Sequence, residues 1–133
     1  RTRRFCGTAQ EQGLECTTNF APEQLAGVQT ASDRFYAALN RLFTGDVAPM
    51  LAVWAHSPEL TQMGPFGGRR EGWDAMRDEF VQTSQMTQSG HVEPTDLLIR
   101  VDGELGYTVC VEQGELVDRQ GNRIPVNHRA TSI

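Results

Sequence analysis

Glu112 and Arg129 interrupt segments that are otherwise apolar, and each belongs in mid-segment rather than at a turn. A carboxylate in such a place needs a partner, because burial disfavours an isolated charge. If the two share the concave face of a sheet, they form a polar floor that orients a substrate, with Glu112 as base and Arg129 as electrophile. If they do not, they read as a structural cross-strand ion pair, and both alternatives stand. Strand alternation places Arg129 and Thr131 on one face and His128 and Ser132 on the other, so only one set can look inward.

His56 follows Trp54 and Ala55 at the end of an apolar run and is the second candidate base, since imidazoles ionise near neutral pH. The plainer reading is a histidine capping a helix end. Tyr36 can donate a hydrogen bond to a developing oxyanion, or it can pack beside Phe35 with its hydroxyl at the edge. Asp33, on the same run, reads as solvated. Trp54, Met63, Phe66 and Trp73 supply core or pocket wall, and a wall of that kind favours apolar ligands.

Several chemistries are excluded. All 12 basic residues are Arg, so no lysine amine exists to form a Schiff base. The chain lacks the Gly-x-Ser-x-Gly, phosphate-loop, dinucleotide and His-Glu-x-x-His patterns, which removes support for hydrolase, kinase and dehydrogenase readings. Cys6, Cys16 and Cys110 match no paired zinc motif, so neither a metal nor a cofactor is expected. Cys6 and Cys16 either close a small loop in an oxidising compartment or remain free thiols, and Cys110 reads as core. A net charge of −5 leaves no broad basic surface for nucleic acid or an anionic membrane. No apolar stretch reaches the length of a membrane span, and RTRRFCGTAQ has no hydrophobic signal core, so a cytoplasmic location is expected. The chain begins at Arg1 without Met, which leaves export open.

The elements that must position these residues follow from periodicity. Residues 1–20 are polar and irregular and read as an N-terminal extension or arm. Leu25, Val28, Phe35, Leu39 and Leu42 recur at helical spacing from Pro22 to a stop at Gly45. Asp46 is placed to cap a second, shorter helix carrying Met50, Leu51 and Trp54, which ends before Ser57-Pro58. Glu59 to Met63 reads as a short strand leading into the turn Gly64-Pro65-Phe66-Gly67-Gly68. Trp73, Met76 and Phe80 mark a third helix over 72–86, followed by a polar stretch before Gly90. Leu97–Val101, then Leu105, Tyr107, Val109 and Val111, then Ile124–Ile133 read as antiparallel strands, separated by turns at Asp102-Gly103 and Gln120-Gly121-Asn122. Helices first and a meander last is the α+β layout. At 133 residues, with 38% hydrophobic and 22% charged, the chain suits one folded domain over 21–133.

Specific strings add to this reading: FYAALNRLFTGDVAPMLAVW in the helical pair, HSPELTQMGPFGG through the first strand and turn, REGWDAM opening the third helix, GELGYTVCVEQGE in the meander, and the terminal NHRATSI. Together with the element order they resemble the SnoaL-like branch of the nuclear transport factor 2-like superfamily. The resemblance implies a curved antiparallel sheet forming a cone around three helices, a pocket inside it, and homodimerisation through the sheet. It spans isomerases, dehydratases and cyclases acting on hydrophobic rings, as well as non-catalytic binding and carrier proteins. Such chains usually finish with a further Gly-x-Trp-x-x-x-His-x-His strand. Here the expected cone domain lacks it, so either the given chain stops short of that strand or the sheet is completed by other means, such as the N-terminal arm or a neighbouring subunit.

Overall fold

The computed structural model describes residues 22–65 and 67–133. The expected arm over 1–20, the Cys6–Cys16 question and Phe66 all lie outside the described residues. α1 runs Pro22–Leu42, α2 Ala48–Val53 and α3 Trp73–Met86. β1 (Thr61–Gln62) pairs with β2 (Arg70–Glu71), while β3 (Thr87–Asp102), β4 (Leu105–Asp118) and β5 (Arg123–Ser132) form an antiparallel meander. This is the α+β cone layout, helices against one face of a curved sheet. Among the described residues, no helix is long and apolar enough to cross a membrane.

Two apolar clusters fasten the helices to each other and to the sheet. Ala38, Leu42, Met50, Met76 and Phe80 join all three helices, with Phe35, Leu51 and Trp54 packed around them. Phe43, Val92 and Leu116 join the end of α1 to the sheet, and Leu39 touches both clusters. Of the periodic residues of α1, Phe35, Leu39 and Leu42 are thus the ones that hold it down, as an amphipathic stripe should.

The structure moves several boundaries. Asp46 does not cap α2; it turns back to Arg41, whose Nε lies 3.1 Å from its carboxylate, and Val47 stands at the cap without a side-chain bond. The strand expected over Glu59–Met63 shrinks to Thr61–Gln62. β3 begins at Thr87, directly after α3, whereas the sequence pointed to Leu97. Its first half was hidden because one side of it faces solvent and the other carries Gly90, Val92 and Pro94, too little apolar material to show an alternation. Pro94 is tolerated there because β3 has β4 as its only ladder neighbour among the described residues, leaving the outer edge free of a strand.

That edge is not bare. Val92 turns both its backbone groups outward, and the Asn40 side chain takes both: Nδ2 donates to the Val92 carbonyl at 3.0 Å and Oδ1 accepts from its N–H at 2.8 Å. One helix amide therefore substitutes for a strand partner. On the other side of Val92, Gly114 of β4 lets the two backbones close in, since a Cβ there would sit 1.9 Å from the His91 carbonyl oxygen.

Two turns set the register. Asp102 and Leu105 flank a two-residue turn whose first position, Gly103, has φ +61°. Between β4 and β5 the Asp118 carboxylate accepts from the backbone N–H groups of Gln120 and Asn122 at 2.9 and 2.8 Å, and from the Asn122 side chain at 2.8 Å. These donors, the Asn122 side chain foremost, hold the Asp118 carboxyl below its ordinary value. In β3 an irregularity between Thr95 and Leu98 inserts one extra residue, and Asp96 there has φ +51°.

Candidate functional site

Glu112 sits in the middle of β4 on the face turned toward α1, the side that also carries Cys110 and Leu116. Its Oε1 accepts a hydrogen bond from the Tyr36 hydroxyl at 2.9 Å, and its Oε2 lies 2.7 Å from His128 Nε2 on β5. The Tyr36 hydroxyl also lies 3.2 Å from Cys110 Sγ. Three elements thus converge on one carboxylate. Tyr36 comes from the buried stripe of α1, and Cys110 and Glu112 are two apart on β4. His128 is the direct cross-strand neighbour of Glu112.

Burial is graded across the array. Tyr36 is buried, the Glu112 side chain is 14% exposed and that of His128 is 31% exposed. Burial above all, then the Cys110 contact and the nearby Glu112 charge, push the Tyr36 phenol far above its ordinary value. The phenol therefore keeps its proton and is the donor to Glu112. Phe35 stands edge-on to Tyr36 with ring centroids 5.0 Å apart, and its other side meets Trp54 at 6.1 Å. The array is backed by apolar rings.

The other residues singled out from sequence fall elsewhere. Arg129 does not share a face with Glu112: it is opposite Val111, points away from α1 and is exposed, so the proposed Glu112–Arg129 floor does not exist. Adjacent strand positions must diverge, and Glu112 takes the histidine next door. His56 is exposed, stacks on Trp73 at 3.9 Å and is bonded to the Leu51 carbonyl at 2.9 Å, with no contact to the Glu112 array. It closes the end of α2. Trp54 is half-buried in the helical core, between Phe35 and Phe80, and its Nε1 donates to Met50 Sδ. Met63, expected in the pocket wall, is 77% exposed.

His128 was missed as the partner of Glu112. Residues equidistant from the centre of a hairpin turn face each other. Glu112 and His128 stand eight positions either side of Gln120, and Val111 and Arg129 stand nine. The turn read from sequence, Gln120-Gly121-Asn122, is centred one residue later, and counting from Gly121 pairs Glu112 with Ala130, so the register came only with the structure.

Two hollows border the sheet. One, of about 280 Å³, opens between the start of α1 and the β3–β4 turn and is lined by Gln24, Val28, Ala31, Val101 and Glu104, among others. The other, of about 350 Å³, lies on the outer face at the β3 irregularity, with Asp96, Leu98, Val109, Val111 and Arg129 around it. Neither has Glu112 at its wall. Among the described residues no cluster of three His, Cys, Asp or Glu side chains is placed to hold a metal ion.

The SnoaL-like domain family matches residues 28–133. The chain belongs to that family. No curated protein matches it. Among solved structures, this SnoaL-like domain protein is similar to a candidate dehydratase of the nuclear transport factor 2-like family from Streptomyces avermitilis. That pair has a TM-score of 0.70 and 19% identity, covering 82% of both chains. A candidate aromatic ring hydroxylase from Novosphingobium aromaticivorans gives a TM-score of 0.70 at 15% identity, over 82% of this chain and 76% of the other. A ketosteroid isomerase-like protein from Erwinia carotovora atroseptica gives 0.66 at 16% identity, over 83% and 82%. At these identities the likeness establishes the shared fold, while activity rests on the side chains within it.

Proposed function

We propose that this SnoaL-like domain binds a small, largely apolar molecule against the inner face of its sheet and moves a proton there, the chemistry of an isomerase, dehydratase or cyclase. One observation carries the reading: an inward carboxylate, Glu112, whose side chain is 14% exposed and engaged at both oxygens by a phenol and an imidazole. Fixing a carboxylate and an imidazole in one geometry removes the reorganisation that proton transfer in water requires. The neighbouring folds named for a dehydratase and for an isomerase-like protein agree with this class.

The test is a thermal-shift screen with apolar ring compounds, followed by turnover measurements on any hit with the wild type and Glu112→Gln. A saturating ligand at 100 times its Kd stabilises the fold by about 2.7 kcal/mol. Absence of stabilisation by every ring compound removes the binding claim, and an unchanged rate in Glu112→Gln removes the catalytic one.

A second reading, a non-catalytic dimeric interaction or carrier module, is favoured by the outer face. Leu98, Val109 and Val111 form an apolar strip there, flanked by Asp96 and Arg129. Opposite charges on one patch suit isologous contact, in which Arg129 of each copy meets Asp96 of the other.

A further inference from the structure

Hydrogen-bond accounting within the array singles out one atom. Tyr36 has one proton and gives it to Glu112 Oε1, so Cys110 is the donor in its contact with the Tyr36 oxygen. At the other oxygen a single proton is shared with His128 Nε2 across 2.7 Å. With Oε1 already accepting from Tyr36, a carboxylate that also accepts at Oε2 places that proton on His128 Nε2. Glu112 is then a carboxylate with both oxygens occupied by donors. In its neutral form His128 is then the Nε2–H tautomer, whose Nδ1 carries a lone pair, and no described residue is bonded to that nitrogen. The imidazole is also the most exposed member of the array, flanked on the same face of β5 by half-buried Val126 and Ala130.

Resting on the proton-transfer reading above, we infer that His128, rather than Glu112, is the catalytic base, and that its Nδ1 receives a ligand with an apolar ring body and a donor group, a phenolic or enolic hydroxyl. Glu112 is a positioning residue acting through His128, and Tyr36 fixes Glu112. The step balances within the site: the ligand O–H proton moves to Nδ1, its electron pair stays on the ligand oxygen, and Glu112 offsets the imidazolium charge until the proton returns to the ligand. A carboxylate behind an imidazole sets its tautomer and steadies its charged form in this way.

The test uses the full chain labelled with ¹⁵N-histidine and long-range ¹H–¹⁵N correlation, with 2-naphthol and its methyl ether as probes. The expected result is an Nε2–H tautomer for His128 in the wild type. Glu112→Gln should invert it, because the amide can donate to Nε2 where the carboxylate accepted. 2-Naphthol should shift the His128 Nδ1 resonance and bind about tenfold tighter than the methyl ether, the worth of one hydrogen bond. His128→Gln keeps a donor to Glu112 and is expected to fold while losing that preference. An Nδ1–H tautomer in the wild type overturns the inference, as does equal binding of both probes with Nδ1 unmoved, and either result leaves the inner-face binding reading in place. Binding of neither probe overturns the inference, and the inner-face binding reading falls with it only if every ring compound of the thermal-shift screen fails as well.

Discussion

Tyr36 shows how one side chain ties stability to the site. Its hydroxyl is buried against an anion, so replacing it by Phe leaves a Glu112 oxygen without its donor. Tyr36→Phe should cost about 1.5–3 kcal/mol at neutral pH, the range for a hydrogen bond to a charged group, measured by urea denaturation. The sign of its pH dependence is fixed. The folded-state phenol ionises at a higher pH than the unfolded one, so its contribution is complete below about pH 10 and is lost as pH rises further. The wild type should therefore lose stability steeply on the alkaline side, and Tyr36→Phe should lose less; parallel alkaline curves for the two proteins would refute the assignment. The sequence showed Tyr36 and Glu112 as separate candidates but not as partners, because helix-to-sheet contacts across so many residues follow from packing and not from local pattern. Arg129 was the opposite case: its charge in an apolar strand drew attention, yet the strand has an outer face where an exposed guanidinium costs little.

Among elements, α1 and α3 were legible because Leu39, Leu42, Met76 and Phe80 repeat at helical spacing and do the burying. The first half of β3 was illegible because what holds it is not its own apolar content. Asn40 supplies part of that hold, and its truncation makes a sharp test. Asn40→Ala leaves the Val92 N–H and carbonyl unpaired and should cost about 1–3 kcal/mol. Hydrogen exchange at the Val92 amide should accelerate well beyond that of amides inside the β4–β5 ladder; uniform protection loss across the sheet would instead mark a global effect. Gly114→Ala tests the opposite flank. A methyl group aimed at the His91 carbonyl forces the strands apart, with an expected loss of about 1–3 kcal/mol in chemical denaturation and a local disturbance at Val92.

For the whole molecule, the two faces of the sheet divide the labour. The inner face carries the helices and the Glu112 array, and the outer face carries the apolar strip with Asp96 and Arg129. If the outer face joins two copies, Arg129→Glu should shift sedimentation toward the monomer, and Asp96→Arg combined with it should restore the dimer; an unchanged sedimentation coefficient in the single variant would exclude this face. The hollow on that side owes its form to the irregularity at Asp96. One surplus residue is looped out between Thr95 and Leu98, and beyond it each side chain resumes the facing it would have had without the insertion. Asp96 is thus a splice point: the chain could be shortened by that residue and Leu98, Ile99 and Val101 would keep their present sides. What would vanish is the dent outside, so the outer surface can be recut by length alone while the wall around Glu112 stays as it is.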